Sequence, residues 1–312
     1  MSVHVRPYRG ADEAALLEVW NAALYQDPVS PELFRRKVVL DPNFDPEHLL
    51  IAEREGRVAG FVLLIRRKVP LEGVGLEPDR AWITAFGVDP AAQRRGVATA
   101  LFEAAEAAAG GCRAITLCPY VPNYFVPGID TASYPSAGPF LEGRGYRAIS
   151  QAISMDAPLA VWSWPEEEKR RFAQLHSRGV VIESLSPAWL PEFLHFLAEA
   201  MPPDWLRHAR ELLLGTTDGR TTWDQVTIAR EGERILGYSQ FEGHRFGPFG
   251  VREELRGQGL GSALLGFTLE RMRRRGCHCA WFLWTGEDAA RLYRRFGFRE
   301  SRRFTLYRKD LQ

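Results

Sequence analysis

Two ten-residue stretches, QRRGVATALF (93–102) and RGQGLGSALL (256–265), repeat one phrase. It is a basic or amide residue, two residues, Gly, one residue, then Gly or Ala, running into apolar residues at helical spacing. Gln93, Arg94, Arg95, Gly96, Val97, Ala98 and Thr99 stand against Arg256, Gly257, Gln258, Gly259, Leu260, Gly261 and Ser262, 163 positions on. A strand, a short loop and a helix N-terminus aim unpaired backbone N–H groups at one point, and the helix dipole adds positive charge there. Glycine permits positive φ and lets an anion approach the backbone. Arg94, Arg95 and Arg256 at the rim add charge-assisted contacts. Such a loop suits a phosphate or pyrophosphate. Neither nucleotide motif accounts for it: GxxxxGK[ST] is absent, and GQGLGS spaces its glycines GxGxG rather than GxGxxG.

The elements that must position these loops are also written twice. GCRAITL (111–117) and GCHCAWF (276–282) follow the two glycine phrases, and PFLEGRGY (139–146) and RLYRRFGF (291–298) each end a short apolar helix. The spacing predicts a duplicated domain of about 130–150 residues, a usual domain size. The expected boundaries are 1–157, a linker with a helix over 158–177, and 178–312. Each copy reads as strand, helices, strands joined by a Glu-Gly turn, a strand entering the glycine phrase, a helix, a strand, a helix and a strand. Asp12 and Ser186-Pro187 are expected to open the first helices. Thr285 and Asp288 have the spacing of a capping box, with Ala289, Leu292, Tyr293 and Phe296 on one face and Gly297-Phe298 as the stop. Residues 118–139 are irregular and account for the extra length of the first copy.

The bulk properties exclude several classes. The 312 residues are 46% apolar and 25% charged, with 40 basic against 39 acidic residues and a net charge of +1. No field favours nucleic acid or an anionic membrane. No stretch approaches a membrane helix, and MSVHVRPYRGADEAALLEVW lacks the pattern of a secretory signal. With four cysteines, too few for a disulfide framework, a cytoplasmic location is expected. CHC at 277–279 invites a metal reading. On a strand, however, Cys277 and Cys279 share one face and His278 takes the other, and no second CxxC appears, so small core residues on a buried strand are expected instead.

The phrase [Arg/Gln]-x-x-Gly-x-[Gly/Ala] after a strand resembles the acyl-CoA pyrophosphate loop of the GNAT N-acetyltransferase superfamily. In the second copy FGPFGVREELRGQGLGSALL and GEDAARLYRRFGF carry the resemblance, and in the first AWITAFGVDPAAQRRGVATALF. It implies an α/β fold of two tandem domains, each a mixed, mostly antiparallel sheet flanked by helices. It also implies acetyl-CoA as acyl donor and direct attack by a primary amine. The pantetheine arm would bond backbone at Phe249, Gly250 and Val251, or at Phe86, Gly87 and Val88 in copy one, and Ala289 would lie beside the cofactor. Tyr293 falls where the family often places the acid that protonates the departing thiolate; its ordinary pKa near 10 keeps it protonated at neutral pH. Leu141 stands opposite it in copy one, so the C-terminal copy is expected to be catalytic. Glu242 is the expected base, with His244 behind it. The acceptor is expected to be a small-molecule amine, with no nucleic acid or membrane partner; the oligomeric state is open. The tandem layout is also similar to that of the mycothiol synthases. Two competing readings are a non-catalytic acyl-CoA sensor and an acyltransferase with another donor, such as aminoacyl-tRNA.

Overall fold

A computed structural model of the chain describes residues 2–311. It divides into two compact units, Met1–Ala152 with Arg303–Gln312, and Ile153–Arg302. The C-terminal strand joins the N-terminal unit, and the helix expected in a linker belongs to the C-terminal one.

In the N-terminal unit the order is β1 (His4–Pro7), α1 (Glu13–Ala23), α2 (Pro31–Phe34, continued by a π turn), β2 (Leu49–Arg54), β3 (Arg57–Ile65), β4 (Arg80–Val88), α3 (Val97–Ala108), β5 (Ala114–Leu117), α4 (Ala137–Gly143) and β6 (Arg147–Pro158). Its strands β1-β2-β3-β4-β5 lie side by side and are followed by β12 (Arg299–Asp310), which pairs antiparallel with β5 through Arg308–Thr116 and Lys309–Ile115. Only β4 and β5 run parallel among these pairs. The strands are apolar on both faces because both are covered. Leu50, Val62, Leu64 and Ile83 meet Val97, Leu101 and Phe102 of α3 on one side, while Leu49, Ile51, Phe61 and Leu63 meet Leu16, Trp20 and Phe34 on the other.

The C-terminal unit repeats the plan. It comprises α5 (Glu166–Ser177), β7 (Val180–Ser184), α6 (Leu190–Ala200), α7 (Pro203–Leu214), β8 (Val226–Glu231), β9 (Arg234–Glu242), β10 (Arg245–Val251), α8 (Leu260–Arg274), β11 (Cys279–Thr285) and α9 (Glu287–Arg295). The strand order is β6-β11-β10-β9-β8-β7, with the second half of β6 contributing, and β10 and β11 are the parallel pair. Tyr238 on β9 faces Phe193, Phe196 and Trp205 of α6 and α7, whereas Phe241 and Phe246 face Leu265 and Leu269 of α8. Among the described residues no helix is long and apolar enough to cross a membrane.

Three local expectations need correction. The Asp12 carboxylate does not cap α1: Arg6 donates to it at 2.7 and 2.8 Å and the Arg9 N–H at 2.7 Å. Thr285 is the buried last residue of β11, so α9 starts from Gly286 without a side-chain cap. Ala290, not Ala289, is buried beside Tyr293 and Phe296. The stop is as expected: Gly297 has φ 89°, and the Phe298 N–H returns to the Tyr293 carbonyl at 3.2 Å.

Candidate active site

The glycine phrase of the C-terminal unit enters α8 through two left-handed residues, Gly257 (φ 77°) and Gly259 (φ 88°). An L side chain at either would be strained there, and the turn leaves the first-turn N–H groups of α8 without carbonyl partners. Gly261 is closely packed: a Cβ would stand 3.3 Å from the Phe249 ring and 3.4 Å from Leu292. Ala289 lies on α9 one turn before Leu292 and is exposed. Charge around the turn comes from Arg256, paired with Glu253 at 3.5 Å, and from Arg295, which no pattern near the glycine phrase announces. The Arg295 guanidinium donates to the Ser262 hydroxyl at 3.1 Å and pairs with the buried Glu168 at 3.2 Å.

Beside this turn β10 and β11 diverge. Their parallel ladder holds one Cα pair, Arg245–Trp281, whereas Phe249, Gly250 and Val251 pair with Ser239, Tyr238 and Gly237 of β9 on the other edge. The edge of β10 that faces β11 therefore has free polar backbone over those residues, the side on which an extended, amide-bearing ligand can add as a strand. The opening ends at a bulge, where Gly247 and Pro248 together oppose Gln240.

Residue for residue, the N-terminal unit has the same construction. Gly96 takes φ 81° at the start of α3, and Arg94, at the position of Gly257, takes φ 59°. A side chain held in the left-handed region costs about 1–2 kcal/mol, so this loop keeps its shape against the preference of its own residue. Arg94, Arg95, Gln93 and Thr99 are exposed, Val97 is buried and Ala98 half-buried. β4 and β5 pair from Arg80–Ala114 to Ile83–Leu117 and then separate, and Phe86, Gly87 and Val88 pair with Val62, Phe61 and Gly60 of β3.

The two units differ in what stands beside the wedge. Tyr293 is 7% exposed, with its ring 6.1 Å from Phe249 and 4.4 Å from Phe282, and burial pushes its phenol well above the ordinary value. Its counterpart, Leu141, is fully buried in the core against α3. Two tyrosines of the irregular stretch 118–139 are engaged in hydrogen bonds of their own. Tyr120 donates to Asp41 and accepts from Asn43, and Tyr134 accepts from the Gln26 N–H and reaches Asp27. Glu242 is the exposed last residue of β9, paired with Arg245 at the end of β10 away from the glycine loop. His244 sits at the same end, next to His278.

On the face of the sheet away from α8 the fold assembles a polar group that no local pattern announced. His208 of α7 lies 3.2 Å from the Gln240 amide nitrogen, directly across from the bulge. Burial, then the nearby Arg245, hold its imidazole below the usual histidine range. The Gln240 carbonyl oxygen and the Tyr238 hydroxyl are buried without partners, a condition that costs about 1–3 kcal/mol per group. One turn before His208, Trp205 closes on Gly250, where a Cβ would stand 2.8 Å from its ring and 2.7 Å from Met201 Sδ. Trp281 and Trp284 of β11 are exposed, while Trp223 packs into the core under α6 and α7.

Known proteins share this construction. The sequence pattern of the acetyltransferase (GNAT) family matches residues 14–125 and again residues 190–298. Mycothiol acetyltransferase of Sanguibacter keddieii is 38% identical over 103 residues, which is 32% of this chain and 32% of that protein; the chain thus matches about a third of that relative's length. The GCN5-related N-acetyltransferase of Sphaerobacter thermophilus matches in structure over 99% of this chain and 95% of its own, with a TM-score of 0.66 and 20% identity. A tandem GNAT protein of the clavulanic acid biosynthesis pathway matches over 99% and 98%, with a TM-score of 0.62 and 16% identity. The glucosamine N-acetyltransferase region of a fungal GH3 β-N-acetylglucosaminidase gives 0.78 at 19% identity, over 98% of this chain and 38% of that one. At such identities the solved structures speak for the fold, while the paired sequence matches cover most of the residues. The chain belongs to the acetyltransferase (GNAT) family, with its domain present twice in tandem.

Proposed function

We propose that this protein transfers an acetyl group from acetyl-CoA to the primary amine of a small molecule, with the chemistry in the C-terminal unit. The observation that carries the reading is the left-handed turn at Gly257 and Gly259, set beside an open strand edge with Tyr293 packed on Phe249. These residues fit acetyl-CoA. The first-turn N–H groups of α8, with Arg256 and Arg295 beside them, suit its pyrophosphate, and Phe249, Gly250 and Val251 offer backbone to its amides. Acetyl-CoA supplies an acyl carbon activated as a thioester.

The residues then divide the proton work. His208, neutral at pH 7 because burial disfavours its charged form, accepts the proton of the amine, with Gln240 fixing the ring. Glu242, exposed two residues beyond Gln240, is not given that role in this reading. Tyr293 keeps its proton at the phenol oxygen and donates it toward the departing sulfur. Burial raises the basicity of a thiolate in the same water-poor wedge, which offsets the weakened acidity of the phenol. Trp205, Trp281 and Arg245 border the acceptor side. Among the similar proteins one is named for mycothiol and one for glucosamine, and we extend from these to a small polar amine.

For the N-terminal unit we propose acyl-CoA binding without turnover, supported by its matching loop conformation and by Leu141. Calorimetric titration with acetyl-CoA tests both statements. Two sites per chain are expected, one lost in Gly259→Glu and the other in Gly96→Glu. One site, lost only in Gly259→Glu, would reduce the N-terminal unit to a scaffold. No binding at all would overturn acetyl-CoA as donor.

A further inference from the structure

The narrow end of the β10–β11 wedge carries a cluster that acetyl transfer does not use. His244, from the β9–β10 turn, brings Nε2 to 3.1 Å from His278 Nδ1, with the ring centroids 4.3 Å apart. Cys279 completes a set whose donor atoms all lie within 4.8 Å of one another. The tripeptide CHC is not the strand that the sequence leads one to expect. β11 begins only at Cys279, and the bend at His278 places consecutive residues on one site. Cys277 is turned elsewhere, its Sγ donating to the Gly243 carbonyl at 3.3 Å.

We propose that His244, His278 and Cys279 bind one divalent transition ion of borderline softness, Zn2+ in the first instance, at the closed end of the wedge. Two imidazoles and a thiolate are the donors such an ion prefers. With bonds of about 2.0–2.1 Å to nitrogen and 2.3 Å to sulfur, a tetrahedral ion sets its ligand atoms about 3.3–3.6 Å apart. The His–His separation is already near that edge, and the sulfur, within 4.8 Å of both imidazoles, is left a short distance to close by side-chain rotation. Three protein donors leave the fourth position to water.

The other unit supplies an internal comparison. There Asp79 precedes Arg80, the first residue of the parallel pair, as His244 precedes Arg245. Gly111-Cys112-Arg113-Ala114 aligns in sequence with Gly276-Cys277-His278-Cys279, while in register Arg80 pairs with Ala114 and Arg245 with Trp281, two residues further along. Asp79 and Arg113 join the two strand entries as an ion pair at 3.5 Å, and the Arg113 N–H donates to the Asp79 carbonyl at 2.7 Å. In the C-terminal unit histidine occupies both aligned positions, 3.1 Å apart through their ring nitrogens. A cation between them restores the tie. It would hold the entries of β10 and β11 together and touch no reacting atom.

The test uses the full chain, stripped with chelator and titrated with Zn2+ by calorimetry and with Co2+ by absorption. One ion per chain is expected, with a thiolate-to-cobalt charge-transfer band that Cys279→Ser abolishes and Cys277→Ser retains. His244→Ala should weaken binding by more than the about 10–100-fold that loss of an outer-shell partner costs, and Zn2+ should raise the melting temperature of the wild type but not of this variant. Failure of the wild type to bind one ion saturably overturns the proposal. So does undiminished binding by His244→Ala/Cys279→Ser, or a band that follows Cys277. These outcomes do not depend on acetyl transfer.

Discussion

Ending the chain after Arg302 should unfold the N-terminal unit and spare the C-terminal one. The deleted Arg303–Gln312 segment belongs to the N-terminal unit. It carries Phe304 at 0%, Leu306 at 5% and Tyr307 at 3% exposure, packed against Ala152 and Val126 and into the core under α3 and α4. Burial of such side chains is worth about 1.5–3 kcal/mol each, so their loss removes about 4.5–9 kcal/mol. The cut also frees the β5 edge at Ala114–Thr116 and breaks the Lys309–Glu106 pair. Domains are stable by only about 5–15 kcal/mol, so this loss, added to that of the β5 pairing, is of the size of a whole domain's stability. Hydrogen exchange read peptide by peptide checks this. β4, α3 and β5 should exchange like unfolded chain, α8 and β10 should stay protected, and a synthetic 299–312 peptide should restore the former. Unchanged protection of β4 and β5 in the truncated chain would refute the assignment of β12.

Tyr293→Phe keeps the ring contacts and removes the proton; turnover should fall about 100-fold or more, with acetyl-CoA affinity and melting point nearly unchanged, and an unaltered kcat would remove Tyr293 from the reaction. His208 has its pKa lowered by burial, so below about pH 6.5 the unfolded chain takes up a proton that the folded chain resists. Its share of stability is present above that pH and is lost on acidification, so the urea midpoint should drop between pH 7 and 5.5, and less steeply in His208→Gln; equal slopes in both proteins would contradict this. Gly250→Ala forces a methyl to within 2.8 Å of the Trp205 ring, a rigid neighbour, and should cost about 1–3 kcal/mol. It should also raise KM for the amine more than for acetyl-CoA; a neutral effect on both would show that α7 yields freely.

What the sequence determined by itself was local. A glycine that must be left-handed, apolar residues at helical spacing and a Glu-Gly turn between alternating runs act over a few residues. The loops at Gly96 and Gly259, the helices behind them and the duplication were therefore legible, as was the contrast between Leu141 and Tyr293. Capping was less legible, because Asp12 has a competing partner in Arg6 that lies upstream. Tertiary structure alone decided which strand completes which sheet. β12 follows α9 in the chain yet closes the N-terminal unit, since an unpaired β5 edge is satisfied by any strand that reaches it. It likewise brought Arg295 to Ser262, His208 to Gln240 and His244 to His278. Each pair spans 32 residues or more, a separation over which no periodicity in the sequence records proximity and only the packed sheet fixes distance.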